Sequence, residues 1–234
     1  MSGHIVKFTN VTKKYLNQYA VNDISFDLPR CKIIALVGPN GSGKSTILKM
    51  IAGLARSTRG SVTVNGKPAS RRIAGEVAFL SEKDILYPFF TVEETIRFNA
   101  GLFADFDMQK AGEILRFMQL EPDKKVRHLS KGNLGRLKIL LVLSRRAPLL
   151  LMDEPLAGLD PLARDAIIKS MLSYLDLREQ TVLLSTHEVS EVEPLLDMVM
   201  SLHNGSIKGF TDVEKIREEY GLSLLDWMKE TLTN

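Results

Sequence analysis

The sequence predicts an α/β fold built on a mostly parallel sheet, with an antiparallel β subdomain and an inserted α-helical subdomain. Three observations predict it. Lys32–Val37 and Leu149–Met152 are short apolar runs without polar alternation, the pattern of buried strands, and Thr181–Ser185 reads as a further strand. Ser61–Lys67 reads as a strand ending in an Asn65-Gly66 turn, the signal of an antiparallel hairpin. From about residue 83 to 147 the apolar period becomes helical, and strand-like runs resume only at Leu149.

Taken in order, His4 to Val11 alternates as a strand and Ile24–Leu28 is a second. Lys13–Tyr19 between them is polar apart from Leu16, Tyr15 and Tyr19; either aromatic is placed to cap the sheet or to stack on a planar ligand. The run Lys32–Val37 leads into Gly38-Pro39-Asn40-Gly41-Ser42-Gly43-Lys44-Ser45-Thr46, which fits G-x-x-x-x-G-K-[ST]. Ile47–Leu54 follows with helical spacing and a glycine near its end. Strand, glycine loop and helix together make a phosphate-binding loop. The glycines let backbone N–H groups curl around phosphate oxygens, and the helix N-terminus adds partial positive charge. Lys44 is placed to bridge the β- and γ-phosphates and Ser45 to ligate Mg²⁺. A chance match is expected in about one chain in a hundred of this length.

Glu76–Leu80 is the next strand. Thr91-Val92-Glu93-Glu94 is a capping box opening a helix, Met108–Leu120 is a second amphipathic run, and a third helix starts after Ser130. Pro161–Leu177 reads as helix, Met198–Leu202 as a strand turned back at His203-Asn204-Gly205-Ser206, and Asp212–Leu232 as a helical tail.

Composition narrows the class. With 234 residues, 44% hydrophobic and 25% charged, the chain has the make-up of an ordinary globular protein, and a net charge of +3 gives no argument for nucleic acid. The single cysteine, Cys31, excludes an intramolecular disulfide and reads as a buried structural thiol. Met1–Lys7 shows no charged region followed by an apolar stretch, so no secretory leader is expected. Ile139–Met152, the longest apolar region, is broken by Arg145-Arg146 and too short to span a bilayer.

Hydrolysing a phosphoanhydride needs a metal, a positioned water and charge stabilisation beyond the phosphate loop. Asp153 ends an apolar strand and suits the Mg²⁺ shell. Glu154 follows, directed away from Asp153, and suits the polarisation of an attacking water. His187 ends a later strand, where it can sense the γ-phosphate. Each has a plainer role as a cap or core residue; gathered at the C-terminal ends of parallel strands, the functional reading gains weight.

The chain resembles the ATP-binding cassette of ABC transporters from about residue 4 to 209. Leu129-Ser130-Lys131-Gly132-Asn133 is similar to the family signature L-S-G-G-Q, and it lies between the phosphate loop and the Asp153-Glu154 pair. Ala157-Gly158-Leu159-Asp160 resembles the D-loop, Ser185-Thr186-His187 the switch-histidine region, and Tyr15 the A-loop aromatic that stacks on adenine. The resemblance implies a RecA-like P-loop NTPase core. It divides the chain into a nucleotide-binding core with its β subdomain (1–82 and 148–209), a helical signature subdomain (83–147) and a C-terminal helical tail (210–234). It implies ATP and Mg²⁺ at residues 38–46 with Tyr15, Asp153 and Glu154. Ser130, Gly132 and Asp160 are assigned to nucleotide binding across a dimer of cassettes, identical or not.

Two departures stand out. The signature carries Lys131 and Asn133 where glycine and glutamine are usual, a variant similar to cassettes of drug, antibiotic and peptide exporters. The Q-loop glutamine position holds Glu82, a candidate for both the Mg²⁺ shell and the water, whose extra negative charge is expected to reduce turnover without abolishing it. Asp84–Phe90 is rich in aromatics, and in the family this region receives a membrane subunit's coupling helix; Tyr87 and Phe89 are the residues expected to be exposed. The basic residues Lys124, Lys125, Arg127, His128 and Lys131 read as a solvated face. The resemblance therefore implies the ATPase subunit of an exporter, cytoplasmic and peripheral on the inner face of the cell membrane, bound to a separate permease and with no nucleic acid. The competing readings are a soluble ABC-type ATPase acting on nucleic acid or ribosomes, and a degenerate cassette that binds ATP without turnover.

Overall fold

The computed structural model describes residues 3–82 and 86–233. Strands β1 (His4–Tyr15), β2 (Gln18–Pro29), β4 (Arg59–Val64) and β5 (Lys67–Pro68) form an antiparallel sheet in the order β2-β1-β4-β5. Strands β3 (Ile33–Val37), β6 (Val77–Leu80), β7 (Leu149–Asp153), β8 (Thr181–Thr186), β9 (Met198–His203) and β10 (Ser206–Asp212) form the second sheet, in the order β10-β9-β3-β8-β7-β6. Its pairings are parallel except β9–β10.

The apolar runs have their cause in this arrangement. Every residue of β3, β7 and β8 is buried, because helices or the first sheet cover both faces. Alternate residues go to opposite cores. Ile34, Leu36, Leu149 and Leu151 pack with the first sheet and with α1 (Lys44–Ile51). Ile33, Ala35, Val37, Leu150 and Met152 face α2 (Val92–Leu102), α3 (Met108–Phe117), α4 (Lys131–Leu143) and α5 (Pro161–Tyr174).

Helices α2, α3 and α4 lie in sequence between β6 and β7. The capping box is present: Thr91 Oγ1 accepts from the Glu94 N–H and the Glu94 carboxylate accepts from the Thr91 N–H. Ser130 caps α4 and accepts from the Asn133 N–H at 3.2 Å. A buried guanidinium joins this layer to the core. Arg145 Nε donates to both carboxylate oxygens of Asp105 at 2.8 Å, and Nη2 donates to the Ala74 carbonyl at 2.6 Å.

Some expected boundaries move. β1 and β2 run twelve residues each, so the polar stretch 13–19 is the end of a hairpin that turns at Leu16-Asn17; both faces there are wet, and hydrophobic alternation fades. The helical tail expected from residue 210 starts later and is divided. Pairing with β9 carries β10 to Asp212, then α6 (Val213–Glu218) and α7 (Leu224–Thr233) are separated at Gly221, whose φ is +64°. Cys31 is only partly buried, its thiol donating to the Arg178 carbonyl at 3.2 Å.

Candidate active site

The glycine loop connects β3 to α1 and is shaped by what surrounds it. A Cβ on Gly38 would sit 2.1 Å from the Leu202 carbonyl oxygen, and one on Gly43 2.3 Å from that of Ala20. Both have positive φ, so only glycine fits. Gly41 also has positive φ, at +81°, but nothing lies within 4 Å of its would-be Cβ, and it borders a cavity of about 410 Å³. Pro39 and Asn40 are exposed at the rim, Ser42 lies beneath with its hydroxyl buried and without a hydrogen-bond partner among the described residues, and Thr46 lines the cavity.

Lys44 opens α1 and is buried. Its ammonium donates to the carbonyls of Gly38 at 2.7 Å and Pro39 at 3.3 Å, and lies 3.6 Å from Glu154 Oε1. Ser45 Oγ donates to Asp153 Oδ1 at 3.0 Å. β7 and β8 pair in register, Asp153 against Ser185, so Ser185 Oγ also donates to Asp153 Oδ1, at 2.7 Å. The adjacent Glu154 leaves the strand with φ +50°, its N–H donating to Ser185 Oγ at 3.0 Å. This bend turns its carboxylate away from Asp153, towards Lys44 and His187, whose Nδ1 is 2.8 Å from Glu154 Oε2. Lys44, Ser45, Glu154 and His187 all line the 410 Å³ cavity.

Glu82 is exposed and lines both this cavity and an adjoining one of about 340 Å³ bordered by Lys131 and Gly158. Its backbone carbonyl accepts from Lys138 Nζ at 3.3 Å. Three expected residues form a separate group. A Cβ on Gly132 would meet Asp160 Oδ2 at 3.1 Å; Asp160 caps α5, accepting from the Ala163 N–H at 2.9 Å, and Ser130 caps α4. None of the three lines the phosphate cavity, nor does Tyr15, which stands half-exposed near the hairpin end with Lys13 Nζ 4.6 Å from its ring centroid.

Sequence reasoning gave no role to Ser185 beyond its place before His187. The available signal was a hydroxyl following the apolar Val182-Leu183-Leu184 run of β8. Ala20, whose carbonyl closes over Gly43, left no trace in sequence because it acts through its backbone.

The ABC transporter family matches residues 21–157, more than half of the chain. The chain belongs to that family. This cassette is 35% identical over 213 residues to the Nod factor export ATP-binding protein I of Burkholderia orbicola (strain AU 1054), covering 88% of the chain and 70% of that protein. It is 28% identical to the lantibiotic transport ATP-binding protein SrtF of Streptococcus pyogenes, covering 94% and 98%. A solved structure of an ATP-binding subunit of an ABC transporter superposes with a TM-score of 0.84 at 30% identity, covering 98% of this chain and 100% of that one. The cassette is an ATP-binding subunit of an ABC transporter and an ATPase. No described helix is long and apolar enough to cross a membrane.

Proposed function

We propose that this cassette powers an exporter, hydrolysing ATP with Mg²⁺ in a dimer of cassettes held beneath a separate membrane permease. The carrying observation is one carboxylate, Glu154, held between Lys44 at 3.6 Å and His187 at 2.8 Å beside the Ser45–Asp153 pair.

The roles follow from chemistry. Backbone N–H groups of Gly41 to Ser45, the N-terminus of α1 and Lys44 bind the triphosphate. The buried Ser42 hydroxyl, lacking a partner among the described residues, offers one more donor to a phosphate oxygen. Ser45 Oγ and the Asp153 carboxylate are adjacent hard oxygens, a donor set that fits Mg²⁺ with its remaining waters. Held there, the ion would supply charge neutralisation to the triphosphate. Glu154 orients the attacking water and takes its proton, His187 senses the γ-phosphate, and Glu82 borders both water and metal. Tyr15 stacks on adenine from the hairpin end. Ser130, Gly132 and Asp160, gathered away from the cavity, are read as the surface that a second cassette's nucleotide meets, so that ATP favours a closed dimer. The 83–147 subdomain carries Ser130 and Gly132 of that surface, and the loop before α5 carries Asp160.

An exporter role draws support from relatives whose names give Nod factor export and lantibiotic transport. Docking of a permease draws support from an aromatic group beside an apolar cavity of about 300 Å³ bordered by Phe79, Leu86, Phe103 and Leu141. Tyr87 and Phe89 are 46% and 59% exposed and pack on each other and on Phe90; Asp84 and Ile85 lie outside the described residues. The cassette would then be cytoplasmic, peripheral on the inner face of the cell membrane. Pull-down from detergent-solubilised native membranes is expected to recover a polytopic protein with the cassette. Recovery of ribosomes or DNA instead would overturn the reading.

A further inference from the structure

His187 is gripped from both sides. Nδ1 lies 2.8 Å from Glu154 Oε2, and Nε2 lies 3.7 Å from Glu188 Oε1. Glu188 and Glu191 share a tight turn in which the Glu191 N–H donates to the Glu188 carbonyl at 3.3 Å; burial first, then Glu188, raises the Glu191 carboxyl above its ordinary value. Behind them stands Arg164, on the second turn of α5. Its Nη2 is 2.6 Å from Glu191 Oε1 and also donates to the Leu159 carbonyl at 3.4 Å. Its Nε–H is buried without a hydrogen-bond partner among the described residues, so the setting of the guanidinium rests on those Nη2 contacts. The chain Leu159–Arg164–Glu191–Glu188–His187–Glu154 is thus continuous, running from the 157–160 loop to the carboxylate beside the phosphate cavity. The groups facing Glu191 are Glu188, Arg164 and His187; those facing His187 are Glu154, with Lys44 behind it, and Glu188.

We propose that Arg164 is a positioning residue for ATP hydrolysis. By holding Glu191, and through it Glu188, it fixes the His187 ring against Glu154. By donating to the Leu159 carbonyl, it couples that setting to the loop preceding α5. A displacement of the loop, as when another chain packs on it, then reaches the catalytic carboxylate without passing through the nucleotide. The inference rests on the reading that Glu154 and His187 serve hydrolysis. Neither Arg164, Glu188 nor Glu191 lines the phosphate cavity, so ATP affinity is outside their reach.

The test is a mutant cycle in the full chain. Arg164→Ala is expected to lower kcat roughly tenfold and leave KM for ATP within about twofold. In a His187→Ala background the same substitution should change kcat by less than about twofold, since its route is gone. Equal losses in both backgrounds would mean a merely structural role and overturn the proposal. Arg164→Lys, which keeps the charge and the stem, should recover part of the rate and guards against a misfolded Ala variant. Ring ¹⁵N resonances give a readout independent of turnover. The chain has four histidines, and the His187 signals are those lost in His187→Ala. Arg164→Ala should move the His187 signals and leave those of His203 in place; unmoved His187 signals would also refute the link. Wild-type turnover in His187→Ala and Glu154→Gln would instead sink the roles assigned to those two residues, and the resonances would still decide whether Arg164 sets the ring.

Discussion

Glu154→Gln separates the two things this carboxylate does. Without nucleotide it is a charge partner: Lys44 and Glu154 side chains are 6% and 10% exposed and lie 3.6 Å apart. At an effective dielectric constant of about 20 their attraction is about 5 kcal/mol before desolvation is counted. Lys44 keeps two carbonyl acceptors in the variant, so the net loss of stability is smaller, about 1–3 kcal/mol. For a chain of this length that lowers Tm by about 3–8 °C. ATP should reverse the deficit, because phosphate oxygens take over as the anionic partner of Lys44; at 100 times Kd, binding adds about 2.7 kcal/mol. Turnover should fall by about 10²–10⁴, the usual worth of a positioned base. The assays are thermal melts with and without ATP, calorimetric binding, phosphate release, and size-exclusion chromatography for an ATP-trapped dimer. Wild-type turnover would refute Glu154 as base, and an unchanged nucleotide-free Tm would refute the pairing with Lys44.

Lys44→Ala should abolish measurable ATP affinity by calorimetry; binding that persists within a few-fold would remove Lys44 from the site. Glu82→Gln removes a negative charge at the rim of the phosphate cavity and should raise ATPase activity, read as phosphate release at saturating ATP; a fall would make Glu82 a required ligand. Asp107 provides a pH test. It caps α3 through the Lys110 N–H and pairs with Arg146 at 2.7 Å, and these two contacts hold its carboxyl below the ordinary value of 3.8. A carboxyl so lowered contributes stability above its unfolded pKa and loses it as pH falls through the folded one. Asp107→Asn should therefore cost about 1 kcal/mol or less at pH 7, with the two denaturation curves converging in strong acid. A gap that persists there would place the effect elsewhere.

What could be read in the sequence was local. Gly38–Thr46 declares itself because glycine positions, a lysine and a hydroxyl must be adjacent to wrap a phosphate. β3 and β7 declare themselves because strands covered on both faces have no polar positions. The β1–β2 hairpin end did not, since exposed strands lose their alternation. What joins distant segments was also silent. Asp153 and Glu154 stood out as a pair directed apart, yet the bend at Glu154 that sets it between Lys44 and His187 is a backbone property. Arg164, Glu188 and Glu191 look like ordinary surface charges in sequence, and only the packing of α5 beside the segment after β8 brings Arg164 to Glu191, four residues beyond His187.

The charges around the cavity also explain why the Glu82 departure matters. Lys44 is the cation at its floor, 3.6 Å from Glu154, with Asp153 bonded to the lining Ser45 and Glu82 added at the rim. The formal charges of those four groups sum to −2 before a polyanionic triphosphate arrives. Backbone N–H groups and the α1 dipole offset part of that, on the order of half a charge. A divalent cation therefore has to offset more charge here than with glutamine at residue 82. The expected signature is a steeper dependence of turnover on Mg²⁺ concentration in wild type than in Glu82→Gln. Low activity in this cassette would then reflect the electrostatics of its rim, with the geometry of its floor intact.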